Sequence, residues 1–212
     1  MSRPLLYKTS ASPPSNAVRM LAAIIGLELE VKDVDFMAME HKSPEFMKLN
    51  PMGTVPTLKD GDFVISESHT IMKYLLSKYG GGKAEALYPS ELRTRALVDQ
   101  CMFFDTGVFF IRLKVVALPT IFGNLEGPTP KDIEDIEASY GVVEAYLRDR
   151  KYLVTDHLTL ADLSVGATTA AMQGIHQLNA AKFPRTVEWL SRLEQETFFK
   201  NNLTPCAQLF GQ

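Results

Sequence analysis

The run GGGKAEALYP, residues 80–89, separates two stretches of chain with different hydrophobic periods. Before it, short apolar runs alternate with helical patterns: PLLY at 4–7, an apolar stretch over 17–25, LEVKDVDF at 29–36, SPEFMKLN at 43–50, VPTL at 55–58, FVIS at 63–66 and SHTIMKYLLSKYG at 68–80. The order strand, helix, strand, helix, strand, strand, helix predicts a small mixed α/β unit. KDGD at 59–62 joins its last two strands as a hairpin. After Pro89 the strand signals stop, and apolar residues recur at helical spacing over 91–118, 131–148, 159–173 and 184–196. The expected organisation is an α/β domain over 1–80, a linker over 81–90 and an all-helical domain over 91–212.

With 212 residues, 46% apolar and 22% charged, the chain can bury one large core or two modest ones. It contains no uninterrupted apolar run of about 18 residues, and its first ten residues, MSRPLLYKTS, lack the apolar core of a secretory signal. A cytoplasmic protein that does not enter membranes is expected. A net charge of −3, with lysine and arginine scattered along the sequence, offers no footprint for a nucleic-acid backbone. Cys101 and Cys206 lie far apart, without a pairing pattern or metal-ligand spacing. Both are expected to be free thiols, and no metal site is expected.

Helix start signals recur. Thr129 followed by Pro130 fits an N-cap and first helical residue, and Thr159 with Asp162 has the spacing of a capping box, a structural pairing. The same reading applies to TSASPPSNAV at 9–18, where Ser12 and Pro13 fit N-cap and N1. In its simplest role Ser12 caps the first helix. Yet the loop leads from a first strand onto a first helix, where a hydroxyl, free backbone N–H groups and the helix dipole all suit an anion. Cap and anion-stabilising hydroxyl both fit the residues.

Taken in order, LYKTSASPPSNAV (6–18), GLELE (26–30), EHKSPEFMKLNPMGTVPTLKDGDFVISESHTIMKYL (40–75), LYP (87–89) and LTLADLS (158–164) resemble the cytosolic glutathione transferases of the insect delta and epsilon classes, epsilon more closely. The resemblance implies an N-terminal thioredoxin-like domain over 1–80 that holds glutathione and an all-helical domain over 91–212 that supplies most of an electrophile pocket. It also implies a homodimer, glutathione as co-substrate and small hydrophobic electrophiles as partners. In thioredoxin-like folds the slot SPPS, Ser12 to Ser15, is where redox relatives carry Cys-x-x-Cys. Two serines cannot exchange disulfides, which leaves open the binding and ionisation of another molecule's thiol, the role that the resemblance implies.

The size of that task can be bounded. A thiol of pKa about 8.5 is only about 3% thiolate at pH 7, and lowering it by roughly two units requires about 2.7 kcal/mol. A hydroxyl hydrogen bond to charged sulfur contributes about 1.5–3 kcal/mol and a helix N-terminus roughly 0.3–1 more. Ser12 and its helix suffice without a general base. Tyr7 is the alternative donor, because other classes of the family use a tyrosine near the end of the first strand. The delta and epsilon resemblance assigns the role to Ser12 and strand packing to Tyr7.

For glutathione the resemblance further implies His41 at the glycyl carboxylate, a cis Val55-Pro56 bond whose Val55 backbone pairs with the cysteinyl residue, and the helix start Glu67, Ser68 and His69 at the γ-glutamyl end. Two positions depart from the pattern: Met52 and Gly53 stand where the epsilon class has Gln-His, and Asn16 stands where the family carries an arginine. A histidine introduced at position 53 is therefore expected to tighten glutathione binding. In the helical half, Val108, Arg112, Val115, Val116 and Pro119 fall near one helical face as electrophile-pocket candidates. Arg112 is either a pocket charge or a buried partner of a carboxylate such as Asp105. Phe104, Phe109, Phe110 and Phe122 serve pocket or core equally well. The expected activity is conjugation of glutathione to hydrophobic electrophiles in detoxification. The alternative is a non-catalytic binding protein or dimer scaffold.

Overall fold

The computed structural model describes residues 3–10, 12–121, 123 and 127–203. The chain divides into two compact units, Met1–Ala84 and Glu85–Gln212, with the break inside the glycine-rich run.

The first unit runs β1 (Leu5–Lys8), α1 (Pro13–Ile25), β2 (Glu30–Asp33), a 3-10 turn at Glu40–Lys42, α2 (Pro44–Leu49), β3 (Thr57–Asp60), β4 (Phe63–Ser66) and α3 (Ser68–Tyr79). Its sheet has the order β2-β1-β3-β4, with β2 parallel to β1 and the other two neighbouring pairs antiparallel. This is the small mixed α/β unit that the alternation of strand and helix patterns predicts, in the thioredoxin-like arrangement that the resemblance implies. Leu6 and Leu58, cross-strand partners in β1 and β3, are fully buried, as are Val18, Leu21, Ile71 and Leu75 from α1 and α3. β2, with the sequence EVKD, is exposed at every position, as suits a charged strand at the sheet edge. α1 ends at Gly26, whose φ of 74° closes the helix in the left-handed conformation that costs glycine least.

At the far end of β3, the buried Asp60 accepts hydrogen bonds from Tyr74 Oη at 2.8 Å, Lys78 Nζ at 2.7 Å and Tyr79 Oη at 2.7 Å. They fasten the last turns of α3 to the sheet. Burial by itself would raise the Asp60 pKa, but the three donors outweigh it and hold the carboxyl below its ordinary value.

A brief α4 (Ala84–Leu87) spans the break, and the second unit then contains α5 (Leu92–Phe104), α6 (Phe110–Ile121), α7 (Pro130–Tyr146), α8 (Leu160–Met172), α9 (Pro184–Gln195) and the short α10 (Thr197–Lys200). The periodicity predicts one helix over 91–118; instead a π-helical turn at Asp105–Phe109 separates α5 from α6. Asp105 and Phe109 are buried while Thr106 to Val108 are exposed, so the wider turn brings both ends inward. Asp105 accepts a hydrogen bond from Ser164 on α8.

α8 lies at the centre of this unit, buried from Leu160 to Thr169. Its capping box is formed as predicted: Asp162 accepts from Thr159 N at 2.9 Å and Thr159 Oγ1 at 3.0 Å. The same carboxylate also takes Leu153 N at 2.9 Å and Trp189 Nε1 at 3.0 Å, tying a loop and α9 to the start of α8. Thr129 and Asp132 make a second capping box at α7. Cys101 sits free in this core, its thiol pushed up to about 12 by desolvation, so it is inert as a nucleophile. Cys206 lies outside the described residues. Among the described residues, no helix is long and apolar enough to cross a membrane, and no cluster of His, Cys, Asp and Glu has a metal-holding arrangement.

Candidate active site

Sheet topology brings the segments singled out in the first unit to one edge. β1, β2 and β4 run in the same direction and β3 runs against them, with Thr57 paired to both Tyr7 and Ser66. The exits from β1, β2 and β4 therefore share an edge with the entry to β3. Ser12 follows β1, His41 follows β2, Val55 and Pro56 precede β3, and Glu67, Ser68 and His69 follow β4. α1 and α3 pack side by side, so both helix N-termini begin there.

Ser12 is the N-cap of α1 with Pro13 at N1, and its Oγ accepts from Ser15 N at 3.3 Å. Among the described residues its hydroxyl donates to no acceptor, and the side chain is half-buried. α1 carries no acidic residue in its first turn, so none of its own carboxylates offsets the positive end of its dipole. Behind the cap, Ser15 and Asn16 are buried, with Ser15 Oγ and Asn16 Oδ1 lacking a hydrogen-bond partner among the described residues. Tyr7 packs edge-on against Phe46, ring centroids 5.8 Å apart, with Lys32 Nζ 5.7 Å from its ring centroid.

His41 is 7% exposed. Its ring stacks on Phe36 at 4.0 Å, and Nδ1 is buried without a partner among the described residues. Burial first, and then the neighbouring Lys42, lower its pKa, so the imidazole is neutral at pH 7. It can contribute a hydrogen bond but not a charge.

The charge lies next to it. Lys42 Nζ donates to Met52 O at 2.9 Å. A β-carbon at position 53 would lie 2.8 Å from that same Nζ, 2.6 Å from His41 O and 2.9 Å from Met47 Sδ, and Gly53 has a φ of 59°. The position is closed to side chains, which reverses the expectation that a histidine there would improve binding. Asn50 builds this turn: its buried amide donates to Thr54 O at 2.9 Å and Thr57 Oγ1 at 3.1 Å, while Oδ1 accepts from Met52 N at 3.1 Å. The Val55-Pro56 peptide bond that follows is cis. Glu67 is exposed with φ 70° and ψ 113°, a rare conformation for a residue with a side chain, and Ser68 and His69 open α3 half-buried behind it.

In the helical unit, Val108, Arg112, Val115 and Pro119 follow at helical spacing along one stripe, with Val108 and Val115 exposed and the other two intermediate. Val116 does not belong with them. It is 2% exposed and turns inward beside Leu113, because three residues along an α-helix return to the same buried face. Arg112 pairs neither with Asp105 nor within a buried site: Nη1 meets Asp135 Oδ2 on α7 at 3.1 Å, and Asp135 is shared with Lys131 at 2.9 Å. Phe109 is core, stacked against Phe104 and edge-on to Tyr140, whereas Phe110 is half-buried. Phe122 lies outside the described residues.

Lys42, Asn50 and the Asp60 cluster escape a reading of the sequence. A lysine after the histidine and an asparagine before the proline turn carry no local signal, since their roles depend on a turn that only the folded chain defines.

Comparison with known proteins covers most of both units. Residues 5–77 match the family model for the glutathione S-transferase N-terminal domain and residues 115–196 that for the C-terminal domain. Glutathione S-transferase 1 of Manduca sexta is 35% identical, over 94% of this chain and 92% of its own. An epsilon-class glutathione S-transferase from the housefly Musca domestica superposes with a TM-score of 0.93 at 36% identity, covering 99% of this chain and 96% of its own. A glutathione transferase homologue from Drosophila mojavensis, solved with bound glutathione, gives a TM-score of 0.94 at 38% identity, over 100% and 96% of the two chains.

Proposed function

The chain belongs to the glutathione S-transferase family, and from that premise we propose that the Ser12 hydroxyl donates a hydrogen bond to the sulfur of bound glutathione, stabilising the thiolate for attack on a hydrophobic electrophile. The observation that carries this reading is the Ser12 hydroxyl itself, held at the head of α1 with its proton uncommitted among the described residues and no acidic side chain in the first turn. The serine acts as donor to an anion and never as nucleophile, so no histidine base beside it is required.

Around Ser12, the Val55 backbone receives the cysteinyl residue, and Glu67 and Ser68 with the head of α3 receive the γ-glutamyl ammonium and carboxylate, with His69 beside them. His41 meets the glycyl carboxylate as a neutral donor. Lys42, whose ammonium stands where a side chain at position 53 would lie, supplies the charge there in place of the missing histidine. A charge-assisted contact of this kind is worth about 1.5–3 kcal/mol before solvent screening. In the helical unit, Val108, Val115 and Pro119 offer apolar surface to the electrophile, with Arg112 as the charge beside it. The protein acts as an epsilon-class homodimer in the cytoplasm, in detoxification.

Retention on immobilised glutathione together with turnover of an aryl halide tests the reading. Ser12→Ala is expected to lower kcat at least tenfold, about 1.4 kcal/mol, with little change in melting temperature. Loss of stability with turnover intact would reduce Ser12 to a helix cap, and retention without turnover in the wild type would make the protein a binding module.

A further inference from the structure

Lysine and arginine are scattered along the sequence, yet the fold of the helical unit gathers five of the 22 around one cleft. Arg148, Arg150 and Lys151 come from the loop after α7, and Arg185 and Arg192 from α9, some 40 residues further on. The cleft has a volume of about 230 Å³.

Two of the cations are held in place. Arg192 donates through Nη2 to Glu188 Oε1 at 2.7 Å and through Nη1 to Lys151 O at 2.7 Å, and Arg185 Nη1 meets Glu144 Oε1 at 3.1 Å. The side chains of Arg148, Arg150 and Lys151 are exposed and make no hydrogen bond or ion pair among the described residues. Glu188 is the one carboxylate in the lining and is already engaged by Arg192.

Helix capping does not explain the group. Cations after α7 suit the negative end of its dipole, but Arg185 is the second residue of α9, where the dipole disfavours a cation. The free backbone N–H groups at that helix start do not serve an external anion either, because Arg185 N and Thr186 N both donate to Glu144. What the cleft presents is four guanidinium groups, whose planar fork of donors matches phosphate oxygens bidentately, and the Lys151 ammonium beside them.

We propose that this cleft binds small molecules bearing a diphosphate, with the loop 148–151 gripping one phosphate and α9 the other. The site lies wholly within the helical unit and is independent of glutathione.

Trp189, the single tryptophan of the chain, lines the cleft and provides a built-in reporter. Inorganic pyrophosphate is titrated into the full-length protein at low ionic strength, followed by calorimetry and by tryptophan fluorescence. A saturable signal in at least one of them is expected, absent with sodium chloride of equal ionic strength and weakened by added salt. Arg148→Gln with Arg150→Gln should weaken binding at least tenfold, the loss of one charge-assisted contact or more. Lys114→Gln with Lys131→Gln, an equal change of charge away from the cleft, should leave it unchanged, with melting curves verifying that both variants fold. No saturable signal by either method, an equal response to chloride, or undiminished binding in the double arginine variant would overturn the proposal.

Discussion

Replacing Gly53 by histidine makes this chain match the epsilon-class pattern at that position, and here pattern and geometry give opposite expectations. A donor added beside His41 should tighten glutathione, by pattern alone. The structure makes the substitution costly for two reasons. The φ of 59° places any L-residue in the left-handed region, at roughly 1–2 kcal/mol. The new β-carbon would also stand 2.6 Å from His41 O, a backbone atom that cannot swing aside, and 2.8 Å from Lys42 Nζ, which can. Displacing the backbone adds an overpacking cost of about 1–3 kcal/mol. The sum is about 2–5 kcal/mol, and at roughly 2–4 °C per kcal/mol for a chain of this size the melting temperature should fall by about 4–20 °C. Glutathione affinity should fall as well, because Lys42 is pushed from Met52 O. Gly53→Ala separates the two effects, carrying the backbone cost without a new donor. Scanning calorimetry and glutathione titration on both variants measure the result. A histidine variant that melts like the wild type and binds glutathione more tightly would refute the argument.

Other perturbations have distinct signatures. Asp162→Ala leaves four donors without their carboxylate in the core of the helical unit and should cost about 3–5 kcal/mol, seen as loss of soluble protein or a much lower melting temperature. Asp60 has a folded pKa below its ordinary 3.8, so its contribution to stability is full above that value and is lost as pH falls through the lower, folded value; acid denaturation curves of Asp60→Asn should lack this component. Arg112→Ala removes a partly exposed ion pair whose acid keeps Lys131, so stability should change by no more than about 1 kcal/mol, while turnover should fall most for electrophiles that develop negative charge. A large drop in melting temperature with all electrophiles affected equally would remove Arg112 from the pocket.

The elements whose residues state their own geometry are legible in the sequence. Ser12-Pro13 and Thr129-Pro130 start helices because a hydroxyl acceptor and a residue without N–H fit those two positions, and Thr159 with Asp162 closes a capping box by spacing alone. The alternation of patterns before residue 80 is enough for the sheet, whose strand directions carry the site segments to one edge. Features that depend on three-dimensional closure are not legible. The π-turn at Asp105–Phe109 reads as continuous helix until Ser164, 59 residues away, reaches Asp105. Nothing around His41 in the sequence signals its burial against Phe36, and Arg112 finds Asp135 only because α6 and α7 pack together. Gly53 reads as a missing donor, although its backbone angle and the Lys42 ammonium leave no space for one.

The central claim is that Ser12 lowers the pKa of another molecule's thiol, and the most direct test is the ionisation of glutathione on the protein. Thiolate absorbance of the binary complex, recorded as a function of pH, gives the pKa of the bound sulfur. The wild type should titrate about two units below the free thiol's value near 8.5. Ser12→Ala should move the titration back toward that value by roughly the 1.5–3 kcal/mol of one hydrogen bond to a charged group, while glutathione remains bound. A wild-type complex that titrates like free glutathione, or an alanine variant whose bound thiol stays as acidic as the wild type's, would contradict the account.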